Sequence, residues 1–143
     1  MKRSYKIIDN KVAESGDSDS NILVYINPDP EEKKYLVDSL KLDEHTLNSA
    51  LDPDEISRLE FEPEHIAIIM KRPKNYSSKH LLAFKVTSIG VYIFSDKIIL
   101  VLAEDIPIFE GKTFDKTITL KDVTLKIVQK SVFHFFEHLR AIS

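Results

Sequence analysis

The sequence predicts an α/β (α+β) fold: a mixed β-sheet flanked by helices, running at its end into the start of a long helix. Three observations carry this. Ile22-Leu23-Val24-Tyr25-Ile26 and Ile98-Ile99-Leu100-Val101-Leu102-Ala103 are continuous apolar runs rich in β-formers, the signature of buried strands. Leu59 and Phe61 alternate with Arg58, Glu60 and Glu62, the period of a strand with one wet face. Near the end, Leu125, Val128, Val132, Phe135, Leu139 and Ile142 recur at spacings of 3, 4, 3, 4 and 3, a heptad seam on one helix. The expected organisation is an α/β domain over residues 1–119 and the start of a C-terminal helix over 120–143.

The elements follow in order. Residues 4–8 and 11–13 flank Asp9-Asn10 and read as a hairpin. Glu14 to Ser20 is small and polar, hence a loop. The strand 22–26 stops at Asn27-Pro28-Asp29-Pro30. Pro30-Glu31-Glu32 suits a helix start, with Pro in the first turn and acids at the positive end of the dipole. Tyr35, Leu36, Val37 and Leu40 give that helix a core face. A second helix is expected over 44–51, with Asp43 as N-cap and Leu47, Ala50 and Leu51 inward. The alternating strand near Leu59 turns at Glu62-Pro63-Glu64 into the dense strand His65 to Met70. Lys71 to Lys79 reads as a polar loop, and its basic cluster Lys71-Arg72-Pro73-Lys74 as a solvated edge or a contact for anionic lipid or a partner's acid. Leu81 to Thr87 and Ile89 to Phe94 form a strand pair or one bent strand, with Gly90 marking a bulge or close approach. Ser95-Asp96-Lys97 turns the chain into the strand from Ile98, and Glu104 to Lys116 is irregular or short-helical. The last helix begins near Leu120, is widened by Phe133 and Phe136, and has no Gly or Pro stop signal. It either packs on its own sheet or continues as a stalk.

Composition narrows the function. A length of 143 residues suits one domain, since domains run to roughly 100–200 residues. Twenty Lys and Arg against 23 Asp and Glu leave a charge of −3, which argues against a nucleic-acid binder. With no Cys, a disulfide scaffold, a Cys-ligated zinc site and a thiol nucleophile are excluded, and a cytosolic compartment fits. Met1 to Lys6 leads into only Ile7-Ile8, which is no signal peptide. The longest apolar run, 98–103, falls far short of the roughly 20 residues of a membrane helix.

Enzymatic motifs are thin. His134-Phe135-Phe136-Glu137-His138 matches His-x-x-Glu-His, which puts two imidazoles on one face as zinc requires. Its two phenylalanines belong to an apolar face, however, and a third ligand would have to come from upstream. His45, His65 and His80 fall on separate elements. No Gly-x-Ser-x-Gly, P-loop or Gly-x-Gly-x-x-Gly is present. The expectation is a protein that is not an enzyme.

A resemblance covers roughly residues 22–143. Leu51-Asp52-Pro53-Asp54-Glu55-Ile56-Ser57-Arg58-Leu59-Glu60-Phe61, followed by Ile66-Ala67-Ile68-Ile69-Met70, resembles the CorA-like divalent-cation transporter family. Ile89-Gly90-Val91-Tyr92-Ile93-Phe94, then Leu100-Val101 and Glu104-Asp105-Ile106-Pro107, is similar to the family's next hairpin, and the last helix to the start of its stalk. The resemblance implies a cytoplasmic regulatory domain of a homopentamer. The stalk would lead to two transmembrane helices, C-terminal to this chain, with a Gly-Met-Asn motif at the pore mouth. Mg²⁺ bound between subunits would hold the pore shut.

Mg²⁺ needs only one or two carboxylates on rigid elements. Where the family carries an acid late in its second helix, this chain has Ser49. The neighbouring carboxylates Asp52, Asp54 and Glu55 are the candidate Mg²⁺ ligands. The same residues fit a capping box, with Asp52 as N-cap, Pro53 first in the helix and Glu55 reaching back. The alternative to a transporter domain is a free-standing interaction module of the same fold. A small hydrolase using His134, Glu137 and His138 comes third.

Overall fold

Asp9 and Asn10 take the positive φ values 51° and 62°, a two-residue turn whose twist matches that of paired strands. It joins β1, Lys2–Ile8, to β2, Lys11–Glu14, as the sequence predicts. The computed structural model describes residues 1–16, 18–73, 86–110 and 114–142, the side chains at 138, 141 and 142 excepted. The expected loop 74–79, the strand start 81–85 and His80 lie outside the described residues.

β3 is Ile22–Ile26, as expected. α1, Pro30–Asp38, starts at a full capping box: Asp29 accepts from the Glu32 amide, and Glu32 accepts from the Asp29 amide. Its core contribution is Leu36, fully buried; Tyr35, expected inward, is half exposed because the helix has a single narrow contact stripe. α2, Glu44–Ala50, is capped by Asp43, whose carboxylate accepts from the Thr46 amide at 2.9 Å.

β4, Arg58–Phe61, and β5, Ile66–Pro73, form a hairpin across residues 62–65. β5 runs through Lys71, Arg72 and Pro73, so the strand takes three residues that the sequence reading gave to a loop. The reason is a partner: β6, Val86–Ile93, pairs with β5 without a break from Ile66↔Ile93 to Pro73↔Val86. β7, Ile98–Leu102, returns antiparallel to β6 and lies parallel to β3. The described strands make one seven-stranded mixed sheet in the order β2-β1-β3-β7-β6-β5-β4.

Alternation along the strands gives two cores. On one face Ile22, Val24, Ile89, Val91, Leu100 and Leu102 pack beneath α3, Leu120–Ile142, through its Val123 and Ile127. On the other, Tyr25, Ala67, Ile69, Tyr92 and Ile99 pack beneath α1 and α2 through Leu36, Leu47 and Ala50. Gly90 marks a close approach, as expected: a Cβ there would stand 2.6 Å from Ala50 Cβ and 2.9 Å from the Tyr92 ring.

β4 corrects one expectation. Leu59 and Phe61 do share a face, but that face is open, with Phe61 76% exposed. They pair with Ile68 and Ile66 on the α3 side at the sheet's edge, while Arg58 and Glu60 turn to the α2 side and are half-buried. The charged face is the more covered one because Arg58 and Glu60 satisfy each other.

Candidate functional site

The polar site is built where the C-terminal end of α2 meets β4. Ser49 faces the sheet and is buried. Its hydroxyl stands 2.9 Å from the His45 carbonyl, its helical i−4 acceptor, and 3.3 Å from a Glu55 carboxylate oxygen. Arg58 Nη2 donates to the same hydroxyl at 2.7 Å. The guanidinium also reaches Glu60 at 2.5 Å and Glu55 at 3.2 Å. At the position where the resemblance leads one to expect an acid, a serine and an arginine therefore share the site.

This arrangement bears directly on Asp52, Asp54 and Glu55. Asp52 and Asp54 are exposed, and Glu55 is half-buried. The expected capping box does not form, because no helix follows Asp52. Residues 51–55 are turns instead: Asp52 Oδ1 accepts from the Asp54 amide at 2.9 Å, and the Glu55 amide donates to the Asp52 carbonyl. Glu55 reaches forward to Arg58 rather than back to Asp52. The underlying cause is that β4 begins at Arg58, which leaves too few residues for a helical turn to propagate.

A different set of carboxylates converges. Asp43, Glu60 and Glu62, all half-buried, have oxygens within 4.8 Å of one another. Asp43 is held there as the α2 N-cap, and Glu60 and Glu62 come from alternate positions at the end of β4. All-oxygen donors suit a hard cation such as Mg²⁺, although Glu60 already engages Arg58. Asp43 and Glu62 also line a cleft of about 370 Å³ with Lys41, Pro63, Glu64 and His65. His65 is buried with its ring 4.8 Å from that of Phe94, and burial pulls it below the usual histidine range against the opposing charges of Glu62, Asp43 and Glu64. Sequence reasoning missed this cluster. Its one signal was the alternation that put Arg58, Glu60 and Glu62 on a common face; that Asp43 lies across from them is set by the crossing of α2, which no local pattern encodes.

Two further sequence features resolve. Among the described residues the heptad seam of α3 is not what holds the helix to the sheet. Val123, Ile127 and Ser131 do that, and Leu125, at 68% exposure, Val132 and Leu139 face away with Phe133 and Phe136. Of the His-x-x-Glu-His motif, Glu137 is exposed and the His138 side chain lies outside the described residues. Of the basic cluster, expected as a solvated edge or a contact for anionic lipid or a partner's acid, Lys74 lies outside the described residues and the other two cations are tied down. Lys71 Nζ donates to the Asp52 and Pro53 carbonyls at 3.1 and 2.9 Å, and Arg72 is only 3% exposed.

No family model and no curated protein matches this sequence. Solved structures do. The full-length CmaX protein aligns over 94% of this chain and 46% of its own, with a TM-score of 0.67 and 14% identity. The soluble domain of CorA from Methanocaldococcus jannaschii aligns over 97% of this chain and 59% of its own, with a TM-score of 0.60 and 18% identity. The chain has the fold of the CorA soluble domain. The complete CorA magnesium transporter from the same organism aligns over 97% of this chain and 47% of its own, with a TM-score of 0.55 and 17% identity. The chain thus spans about half the length of the solved proteins it matches. No helix among the described residues is long and apolar enough to cross a membrane.

Proposed function

We propose that this chain is the regulatory domain of a CorA-like divalent-cation transporter. It sits on the cytoplasmic side of the membrane, senses Mg²⁺ and biases a pore that lies outside these residues. The observation that carries this reading is the fold likeness to the CorA soluble domain over 97% of the chain. The outward apolar seam of α3 supports it, because a face of Leu125, Val132 and Leu139 is what a helix offers to sister subunits. The role is not enzymatic. The assembly is a homo-oligomer, a pentamer as the resemblance implies, and nucleic acid plays no part.

Mg²⁺ acts by differential binding. It favours the arrangement in which carboxylates of neighbouring domains are close, and it shifts the gate only by the difference in its affinity for the two arrangements. Two carboxylate sets are available: Asp52 with Asp54 on the surface, backed by Glu55, and Asp43 with Glu60 and Glu62 by the cleft. Melting temperature against MgCl₂ at constant ionic strength tests the reading, on this chain and on the complete gene product. A saturable rise through the low millimolar range is expected. Its loss in Asp52→Asn/Asp54→Asn assigns the surface set, and its loss in Asp43→Asn/Glu62→Gln the cleft set. No shift in either protein sinks Mg²⁺ sensing.

A further inference from the structure

Arg72 is the least expected buried group in the molecule. Strand alternation puts it on the α3 side of β5, two residues beyond Met70, whose sulfur lies 4.0 Å from the Ser131 hydroxyl of α3. It is 3% exposed, and among the described residues its Nη1 has no hydrogen-bond partner. A buried guanidinium with an orphaned nitrogen is costly, and native proteins seldom leave one so. Among the described residues no carboxylate acts on it.

The second charge nearby is also positive. Lys130 of α3 donates to the Glu110 carbonyl and lies 3.4 Å from the Ile108 carbonyl, with its ammonium 5.6 Å from the centre of the Phe114 ring. Burial first, and then the Arg72 charge, pull this lysine below its ordinary pKa, against the opposing charge of Glu110. Glu110 acts on Lys130 and not on Arg72, and the flanking segments add no further acid: residues 74–85 hold three lysines and no Asp or Glu, and residues 111–113 hold none either. Thr87, opposite Arg72 in the β5–β6 register, adds a buried hydroxyl on the same face.

We propose that the β5–α3 interface around Arg72 and Lys130 binds a small dianionic oxyanion of the phosphate type. Two cations call for a dianion, and the forked guanidinium offers paired N–H donors to a tetrahedral oxyanion. At 3% exposure Arg72 is out of reach of a lipid headgroup on its bilayer. Bound there, the anion ties the end of β5 to α3. The inference does not depend on Mg²⁺ sensing.

Inorganic phosphate is the probe, titrated into the purified chain with ionic strength held by NaCl and read by melting temperature and by calorimetric titration. A saturable rise of several degrees is expected, with NaCl alone giving none. Arg72→Met abolishes the phosphate response, and in phosphate-free buffer it melts no lower than the wild type, because an unpaired buried charge has gone. Arg72→Lys, which keeps the charge and loses the fork, weakens phosphate at least about tenfold. Should Arg72→Met fail to fold, Lys130→Met must weaken phosphate binding, measured against the wild type by the same titration. Absence of phosphate binding in the wild type overturns the proposal, as does an unchanged phosphate affinity in the Arg72 or Lys130 variants. Binding to phosphatidylglycerol vesicles with no response to inorganic phosphate overturns it too.

Discussion

Single residues in this molecule are constrained most where two layers touch. Gly90 is the clearest case, since the α2 backbone can approach β6 only because no Cβ intervenes. Gly90→Ala drives a methyl into Ala50 and Tyr92, neither of which can retreat from a packed core. The expected cost is about 1–3 kcal/mol, read from urea midpoints at unchanged slope. His65 gives a second prediction with a definite sign. Its folded pKa lies below the usual value near 6.5, so the unfolded chain takes up the proton first. Stability from this group is full above about pH 6.5 and is lost as the pH falls through that value towards the lower folded one. Lys41, Asp43, Glu62 and Glu64 surround the ring along the cleft and stay in place in a His65→Gln variant. The difference between wild-type and variant urea midpoints should therefore shrink from about pH 7 to 5. A constant difference would mean that the imidazole stays accessible to protons in the folded state.

At the scale of elements, α3 divides its labour between two faces, and substitutions should separate them. Ile127→Ala removes a fully buried side chain over the sheet and should cost about 2–5 kcal/mol. Leu125→Ala, on the outward face, should change the stability of the monomer by no more than about 0.5 kcal/mol. Equal losses would show the seam packed within one chain. The same helix shows how far the sequence could be read. Its existence was legible because a seam of period near 3.5 sustained from Leu125 to Ile142 leaves no other solution. Which stripe meets the sheet was not: periodicity found the more apolar seam, whereas the docked stripe includes Ser131, a polar residue whose hydroxyl is satisfied by the Ile127 carbonyl. β3, β7, the start of α1 and the α2 cap were legible for local reasons, namely continuous β-formers, Pro with acids in a first turn, and Asp before a helix. The polar site was legible only in part. Asp52 and Glu55 were read as a cap because their spacing fits one, and the early start of β4 left no length for it. Arg72 was read as solvated because arginine usually is, and only the pairing with β6 carries it inside.

The whole molecule is a sheet with covered and uncovered ends. α1 and α2 close one face, while on the other α3 leaves Leu59 and Phe61 of the edge strand open. Added to Leu125, Val132, Phe133, Phe136 and Leu139, this is more exposed apolar surface than scattered single residues would explain. Two ways of covering it have different signatures. If sister copies meet along α3, sedimentation of the purified chain should show association that grows with concentration. Val132→Glu with Phe136→Glu should abolish it while leaving the melting temperature of the dilute protein unchanged, since neither side chain belongs to the monomer's core. If contact runs instead through the open edge of β4, Phe61→Lys should be the change that abolishes association, and the α3 pair should leave it intact. The heptad spacing favours the first outcome: knobs repeating every three and four residues pack against a like helix, whereas the four-residue β4 offers a short edge with half of its side chains charged.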